Sequence, residues 1–286
     1  MNTSTPAITI AGLTKSYGDH HVLKGVDLDV ASGTIFALLG PNGAGKTTTI
    51  SILTTILSPT GGRALINGRN IVRESAAVRR EVGIIFQRPS LDQNLTGEEN
   101  VRFHAILYGL YPFAPAWRLM AHDYRARVEE LASVVGLGRE IFDPVKRYSG
   151  GMRRKLEIVR SLMHRPRVLF LDEPTAGLDA PSRRTLWTYL GAQRRASGTT
   201  VFLTTHYLEE AEQADHVCVI DGGRIVAAGT PADLKAQLTA EWLVVGAAEA
   251  DLPALRAELA GLGVGGEAVP GGGIRIPDRK STRLNS

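Results

Sequence analysis

Gly40-Pro41-Asn42-Gly43-Ala44-Gly45-Lys46-Thr47-Thr48 is the stretch on which the reading of this chain turns. The apolar run Thr34-Ile35-Phe36-Ala37-Leu38-Leu39 precedes it and reads as a buried strand. Thr49-Ile50-Ser51-Ile52-Leu53-Thr54-Thr55-Ile56-Leu57 follows it and reads as a helix. Strand, glycine-rich loop and helix in that order, with the spacing GxxxxGKT, make a cradle for phosphate. The glycines permit positive φ and close approach, so successive N–H groups can point inward, and the helix N-terminus adds its partial positive charge. In such a loop Lys46 reaches the β- and γ-phosphates and the Thr47 hydroxyl holds Mg²⁺. An ordinary glycine turn needs neither residue, so the stretch predicts binding of a nucleoside triphosphate.

Upstream, Ile8-Thr9-Ile10 and residues 22–30 read as antiparallel strands, with Lys15-Ser16-Tyr17-Gly18-Asp19-His20-His21 as a loop between them. Tyr17 either stacks on an adenine ring or covers the loop, and the residues alone leave both open. Downstream, Ser58-Pro59-Thr60-Gly61-Gly62 breaks the chain; residues 63–66 and 82–86 then read as strands around a short basic helix at 75–80. Gln87 ends the second of these strands, where a glutamine can reach a nucleotide-bound Mg²⁺, a water or only solvent. Residues 97–110 and 123–136 have helical spacing. The segment joining them, 111–120, holds Pro112 and Pro115, which forbid a continuous helix. Its aromatics read as a local satellite core or as a docking surface.

Tyr148-Ser149-Gly150-Gly151-Met152-Arg153 opens a helix running to about His164, with Ser149 as N-cap and two glycines that admit another backbone. Val168-Leu169-Phe170-Leu171-Asp172-Glu173 is an apolar strand ending in two acids. At the carboxyl end of a strand parallel to the one before Gly40, Asp172 would contact the Mg²⁺ shell. Glu173 would be the base or the positioner of the attacking water. The turn Ala176-Gly177-Leu178-Asp179 leads into a helix from Pro181, and residues 199–204 form a strand with Thr205-His206 at its end. A histidine there is well placed to touch phosphate. Residues 207–212 read as helix, 217–220 and 224–227 as a hairpin, and 231–238 as a short helix. The stretch 242–277 reads as strand, helix, glycine-rich turn and strand start.

Composition sets limits on this reading. Hydrophobic residues at 43% and charged residues at 22% are ordinary for a globular protein. Cys218 sits in Val217-Cys218-Val219-Ile220, so a buried thiol is expected, with no disulfide and a reducing compartment. The start, Met1-Asn2-Thr3-Ser4-Thr5-Pro6, lacks a signal-peptide pattern. No run approaches the roughly 18–20 apolar residues of a membrane span. A cytoplasmic location is expected, with any membrane role exercised through a partner. The last nine residues, 278–286, match a translated sequencing-adapter oligonucleotide and are expected to be foreign to the fold. They carry one acid and three bases, so removing their +2 from the chain's +4 leaves +2. The remaining basic pairs, Arg153-Arg154 among them, are scattered through helices and read as solvated faces, so nucleic acid is not expected as a partner.

Taken together, residues 8–238 resemble the ATP-binding-cassette (ABC) ATPases. Tyr17 matches the A-loop, Gly40 to Thr48 the Walker A and Gln87 the Q-loop. Ser149-Gly150-Gly151-Met152 matches the signature, Val168 to Glu173 the Walker B, Asp179 the D-loop and His206 the H-loop. Finer features, namely Leu91 to Asn100, Tyr148 to Glu157 and Thr204 to Glu212, are similar to the ATPases of ABC-2-type exporters, including those for daunorubicin resistance and nodulation factors. Tyr148 and Met152 replace the Leu and Gln of the general signature, as is familiar in that branch. The resemblance implies an α/β P-loop NTPase fold: a RecA-like core, an antiparallel β subdomain, a helical subdomain at about 88–165 and a truncated α+β appendage at 241–277. It implies ATP and Mg²⁺ as ligands, with the metal held through Thr47, Gln87 and Asp172. It implies Glu173, His206 and Lys46 as catalytic residues. It implies an ATP-bound homodimer in which Ser149 to Met152 act in trans, and a separate transmembrane permease on whose cytoplasmic face the chain sits. The alternative is an ABC ATPase acting on a non-transport partner; such proteins usually fuse two cassettes or insert long coiled coils, and this chain does neither. A P-loop kinase would leave the signature and His206 without a use.

Overall fold

The computed structural model describes residues 6–86, 90–176, 178–238, 242–245, 251–261, 267–268 and 273–277. Gln87 and the tail at 278–286 lie outside them. The chain divides into two compact units, Met1–Ala228 and Gly229–Ser286.

The first unit opens with β1 (Ile8–Tyr17) and β2 (His20–Val30), paired antiparallel with Ile8 opposite Val30 and Tyr17 opposite His20. In β2, buried Val26, Leu28 and Val30 alternate with exposed Asp27 and Asp29, the period-two pattern of a half-buried strand. β1 continues through Lys15-Ser16-Tyr17, which the sequence suggested as loop. Register shifts along the pair, with Gly12 at φ 57, let β1 absorb irregular residues and keep pairing to its end.

There follow β3 (Ile35–Leu39), α1 (Lys46–Leu53), β4 (Gly61–Ile66), β5 (Arg69–Asn70), α2 (Ser75–Glu81) and β6 (Val82–Ile85). The helical part holds α3 (Gly97–Leu107), α4 (His122–Val135) and α5 (Gly150–Leu162). The unit closes with β7 (Val168–Asp172), α6 (Ala180–Ser197), β8 (Thr200–Thr205), α7 (Leu208–Ala211), β9 (His216–Asp221) and β10 (Arg224–Gly229). One sheet has the order β2-β1-β4-β5, the other β10-β9-β3-β8-β7-β6. In the second, β9, β3, β8, β7 and β6 run parallel. Its strands β7 and β8 are buried at every position, Asp172 and the threonines of β8 included, as strands covered on both faces should be. Cys218 is buried in β9, and burial pushes its thiol up to about 11.

Local chemistry explains the helix ends. Thr96 accepts from the Glu99 N–H while Glu99 reaches back to the Thr96 N–H, a capping box that starts α3. That helix stops at Leu107, short of the expected 110, because Gly109 turns at φ 68. Gly136, left-handed at φ 68, ends α4. In the segment between them, Trp117 packs edge-on to Tyr124 and Phe142, and Tyr111 to Tyr124, with ring centroids 5.2–5.8 Å apart. These rings form a satellite core, whereas Phe113 and Leu119 stand exposed.

In the second unit, α8 (Pro231–Leu238) precedes β11 (Trp242–Val245), α9 (Leu252–Gly261), β12 (Glu267–Ala268) and β13 (Ile274–Pro277). The strands form an antiparallel sheet of order β11-β13-β12, with Val245 opposite Ile274.

Between α3 and α5 lies a histidine pair. The Tyr108 ring sits 4.3 Å from His104 and 4.9 Å from His164, whose Nε2 donates to the Val82 carbonyl at 2.8 Å. Burial, then Arg160 and His164, lowers the His104 pKa to about 3, and burial lowers that of His164. Both rings are neutral in the native state and take up protons on unfolding in mild acid. The stability His104 contributes is therefore complete above the ordinary value of 6.5 and is lost as pH falls from there towards 3, and His164 acts in the same direction. The urea midpoint should fall between about pH 7 and pH 5, and His104→Gln should flatten that fall. An equally steep fall in the variant would place the acid sensitivity elsewhere.

Candidate functional site

Strand register brings the site together. β3 pairs with β8 so that Leu39 lies opposite Thr205, and β8 pairs with β7 so that Thr204 lies opposite Asp172. The glycine loop, Thr205-His206 and Asp172-Glu173 therefore leave the sheet at one edge, the carboxyl ends of adjoining parallel strands. Gly40 donates its N–H to the Thr205 carbonyl at 3.2 Å, and a Cβ on it would fall 2.2 Å from the Ile220 carbonyl oxygen. No other residue fits there. Gly45 caps α1 at φ 108, a left-handed conformation that glycine adopts without penalty.

Lys46 begins α1 and is 5% exposed. Its ammonium donates to the Gly40 carbonyl at 2.8 Å and the Pro41 carbonyl at 3.0 Å, and lies 3.9 Å from Glu173 Oε1. Burial lowers its pKa, opposed by the charges of Glu173 and Asp172. Thr47 Oγ1 donates to Asp172 Oδ2 at 3.0 Å, and Thr204 Oγ1 to Asp172 Oδ1 at 2.5 Å. A hydroxyl beside a carboxylate is a hard-oxygen pair of the kind Mg²⁺ takes, and a lysine at a helix N-terminus suits a polyphosphate. The donor set fits both ligands.

Glu173 stands just past β7 at φ 46, a conformation that costs a non-glycine residue about 1–3 kcal/mol. Its N–H donates to the Thr204 carbonyl at 3.1 Å. Its Oε1 lies 3.0 Å from His206 Nδ1. The strained turn thus aims the carboxylate at His206 and Lys46, across the mouth of the glycine loop.

Ser149 to Met152 do not belong to this cluster. Ser149 caps α5, accepting from the Met152 N–H at 3.2 Å, and a Cβ on Gly150 would meet open space. Ser149 and Gly150 are exposed, so the N-terminus of α5 faces outward. Tyr17 is 51% exposed at the end of β1, with Lys15 Nζ 5.0 Å from its ring centre. Asp179 is exposed at the start of α6 and accepts from the Arg183 N–H through its carbonyl. Pro41, Asn42, Gly43, Ala44 and Thr48 lie in or directly after the loop as expected.

Two residues escaped the sequence reading. Thr204 is wholly buried and joins the two acids: its hydroxyl serves Asp172 and its carbonyl serves Glu173. The signal was present, since a hydroxyl inside a buried strand must find a partner. Arg154, read as part of a solvated basic pair, is 5% exposed and reaches the backbone behind the acids. Here the reading is corrected, because the guanidinium finds carbonyls that only the folded turn assembles.

The model of the ABC transporter family matches residues 23–176, just over half the chain. The daunorubicin resistance ATP-binding protein DrrA3 of Streptomyces coeruleorubidus is 45% identical over 232 residues, covering 81% of this chain and 70% of that protein. The Nod factor export ATP-binding protein I of Ralstonia nicotianae is 41% identical over 262 residues, covering 91% of this chain and 78% of that one. Among solved structures, the dimeric post-hydrolysis cassette MJ0796 bound to ADP and Pi superposes with a TM-score of 0.70 at 25% identity, covering 78% of this chain and 98% of that one. With a triphosphate cradle, paired acids and a histidine at one sheet edge, and with these likenesses along most of its length, the chain belongs to the ABC transporter family as an ATP-binding, ATP-hydrolysing cassette.

Proposed function

We propose that this cassette powers an ABC-2-type exporter, driving efflux of a drug-like or lipid- or sugar-conjugated amphiphile through a separate permease. Support for the cargo class comes from the relatives, named for daunorubicin resistance and Nod factor export. No helix among the described residues is long and apolar enough to cross a membrane, and we assign the spanning pathway to the permease. The chain would then act on the cytoplasmic face of the membrane. We take the cassette to extend over residues 8–238, with 241–277 as a partial α+β addition.

The observation that carries the ATPase mechanism is the convergence of Lys46, Thr47, Asp172, Glu173 and His206 at one sheet edge. Lys46 and the N–H groups of the loop hold the triphosphate, and Tyr17 stacks on its base. Thr47 and Asp172 would hold Mg²⁺, whose charge would offset that of the phosphates; Gln87 lies outside the described residues. Glu173 takes the proton of the attacking water, and the His206 imidazole, 3.0 Å from its carboxylate, steadies it and meets the γ-phosphate. The exposed N-terminus of α5 supplies the missing side of the site to a second copy. Ser149 and the Gly151 N–H would close on the partner's γ-phosphate, with Asp179 at the seam, as the dimeric state of MJ0796 supports.

Glu173→Gln should bind ATP, form a stable dimer by light scattering and release phosphate at least about 100-fold more slowly, the usual worth of a general base. Hydrolysis near the parental rate would sink the base assignment. Gly151→Asp tests the sandwich. A Cβ there meets nothing nearer than Ser149 Oγ at 3.9 Å, so the fold should accept it. The carboxylate would repel the partner's triphosphate, so kcat should drop by about 100-fold or more while monomer affinity for ATP changes little. Unaltered turnover would favour a P-loop enzyme that works without the sandwich.

A further inference from the structure

Arg154 lies one turn into α5, the helix capped by Ser149. Its Nε donates to the Pro174 carbonyl at 3.2 Å, and its Nη2 to the carbonyls of Asp172 at 3.1 Å and Glu173 at 3.3 Å. Its Nη1 donates to the carbonyl of Phe86, the residue before Gln87, and to Glu157 Oε2 at 3.3 Å. One buried side chain therefore holds three successive carbonyls of the acid turn and the end of the neighbouring strand β6. Glu157 is itself held by the Ser90 N–H at 3.1 Å and keeps the guanidinium oriented.

Glu173 adopts a left-handed φ of 46, which turns its side chain towards His206 and Lys46 and leaves the turn's carbonyls on the opposite side. The Glu173 carbonyl also accepts from the Ala176 N–H at 3.2 Å, and five N–H groups in a fixed planar fork suit several carbonyls that diverge. Lysine, with one ammonium, cannot span Phe86 and Pro174 together.

We propose that Arg154 is a positioning residue for hydrolysis: from the signature helix it clamps the turn that carries Glu173, so that the helix presented to one nucleotide also sets the base for the other. The inference rests on Glu173 acting as base and adds a part that touches neither nucleotide nor water.

The test compares Arg154→Lys with Arg160→Lys in the full chain. Arg160 lies on the same helix and near the same Glu157, at 3.8 Å, but donates to the Ser90 carbonyl and hydroxyl. With MgATP, Arg154→Lys should bind nucleotide within twofold of the parent and lose at least tenfold in kcat. Arg160→Lys should keep kcat within twofold at a comparable melting temperature. Should Arg154→Lys not fold, Glu157→Gln loosens the same guanidinium and should show the same split between kcat and affinity. A kcat within twofold of the parent in Arg154→Lys (or, where that variant does not fold, in Glu157→Gln), or equal losses in Arg154→Lys and Arg160→Lys, would overturn the inference. The two failures separate, because a parental rate in Glu173→Gln removes the base, whereas a parental rate in Arg154→Lys alone removes only the clamp.

Discussion

The parallel ladder that joins β3, β8 and β7 is the constraint on which the rest depends. Parallel pairing aligns strand ends of the same polarity, so residues more than a hundred positions apart leave the sheet side by side. Lys46 and Thr47 arrive from one strand, Thr204, Thr205 and His206 from the next, and Asp172 and Glu173 from the third. Shifting any pair by one residue would turn the acids to the other face of the sheet, because side chains alternate along a strand. The ladder in turn is held by its covering, since the central strands bury every side chain they carry.

A cluster of charges at such an edge is costly unless each member has partners. Lys46 illustrates the balance: burial lowers its pKa, while Glu173 and Asp172 favour its charged form and the loop carbonyls accept its protons. Asp172 is 2% exposed and takes hydroxyl donors from Thr47 and Thr204. Glu173 sits at a left-handed φ of 46, and the turn that holds it there is gripped from behind by α5 through Arg154. The architecture divides the labour. The parallel sheet collects Lys46, Thr47, Asp172, Glu173 and His206 at one edge, and the helical part supplies an outward-facing N-terminus and a buried arginine behind the acids.

Much of the fold was legible because its signals are local. The glycine loop needs glycine where φ is positive and where Ile220 crowds Gly40, and the capping residue Ser149 stands where a helix begins. Strand β7 announced itself as an apolar run ending in two acids. The reading slipped where local preference and pairing disagree. Lys15 to Tyr17 look like a loop but stay in β1 because the partner strand shifts register to follow them. The aromatics at 111–120 left two readings open; Tyr111 and Trp117 pack on Tyr124, from the following helix, while Phe113 remains exposed.

The sequence by itself determined that this chain binds a nucleoside triphosphate, that a glycine-rich loop joins a strand to a helix, and that two acids and a histidine end strands of the same sheet. Those conclusions rest on short-range spacing, and spacing is what a linear chain displays. Only the tertiary structure decided the order of the strands, the left-handed turn at Glu173, the hydroxyl bridge of Thr204 and the burial of Arg154. An arginine that bonds backbone carbonyls leaves no pattern in sequence, because every residue has a carbonyl. Which carbonyls lie within reach is known only once helix and sheet are packed together.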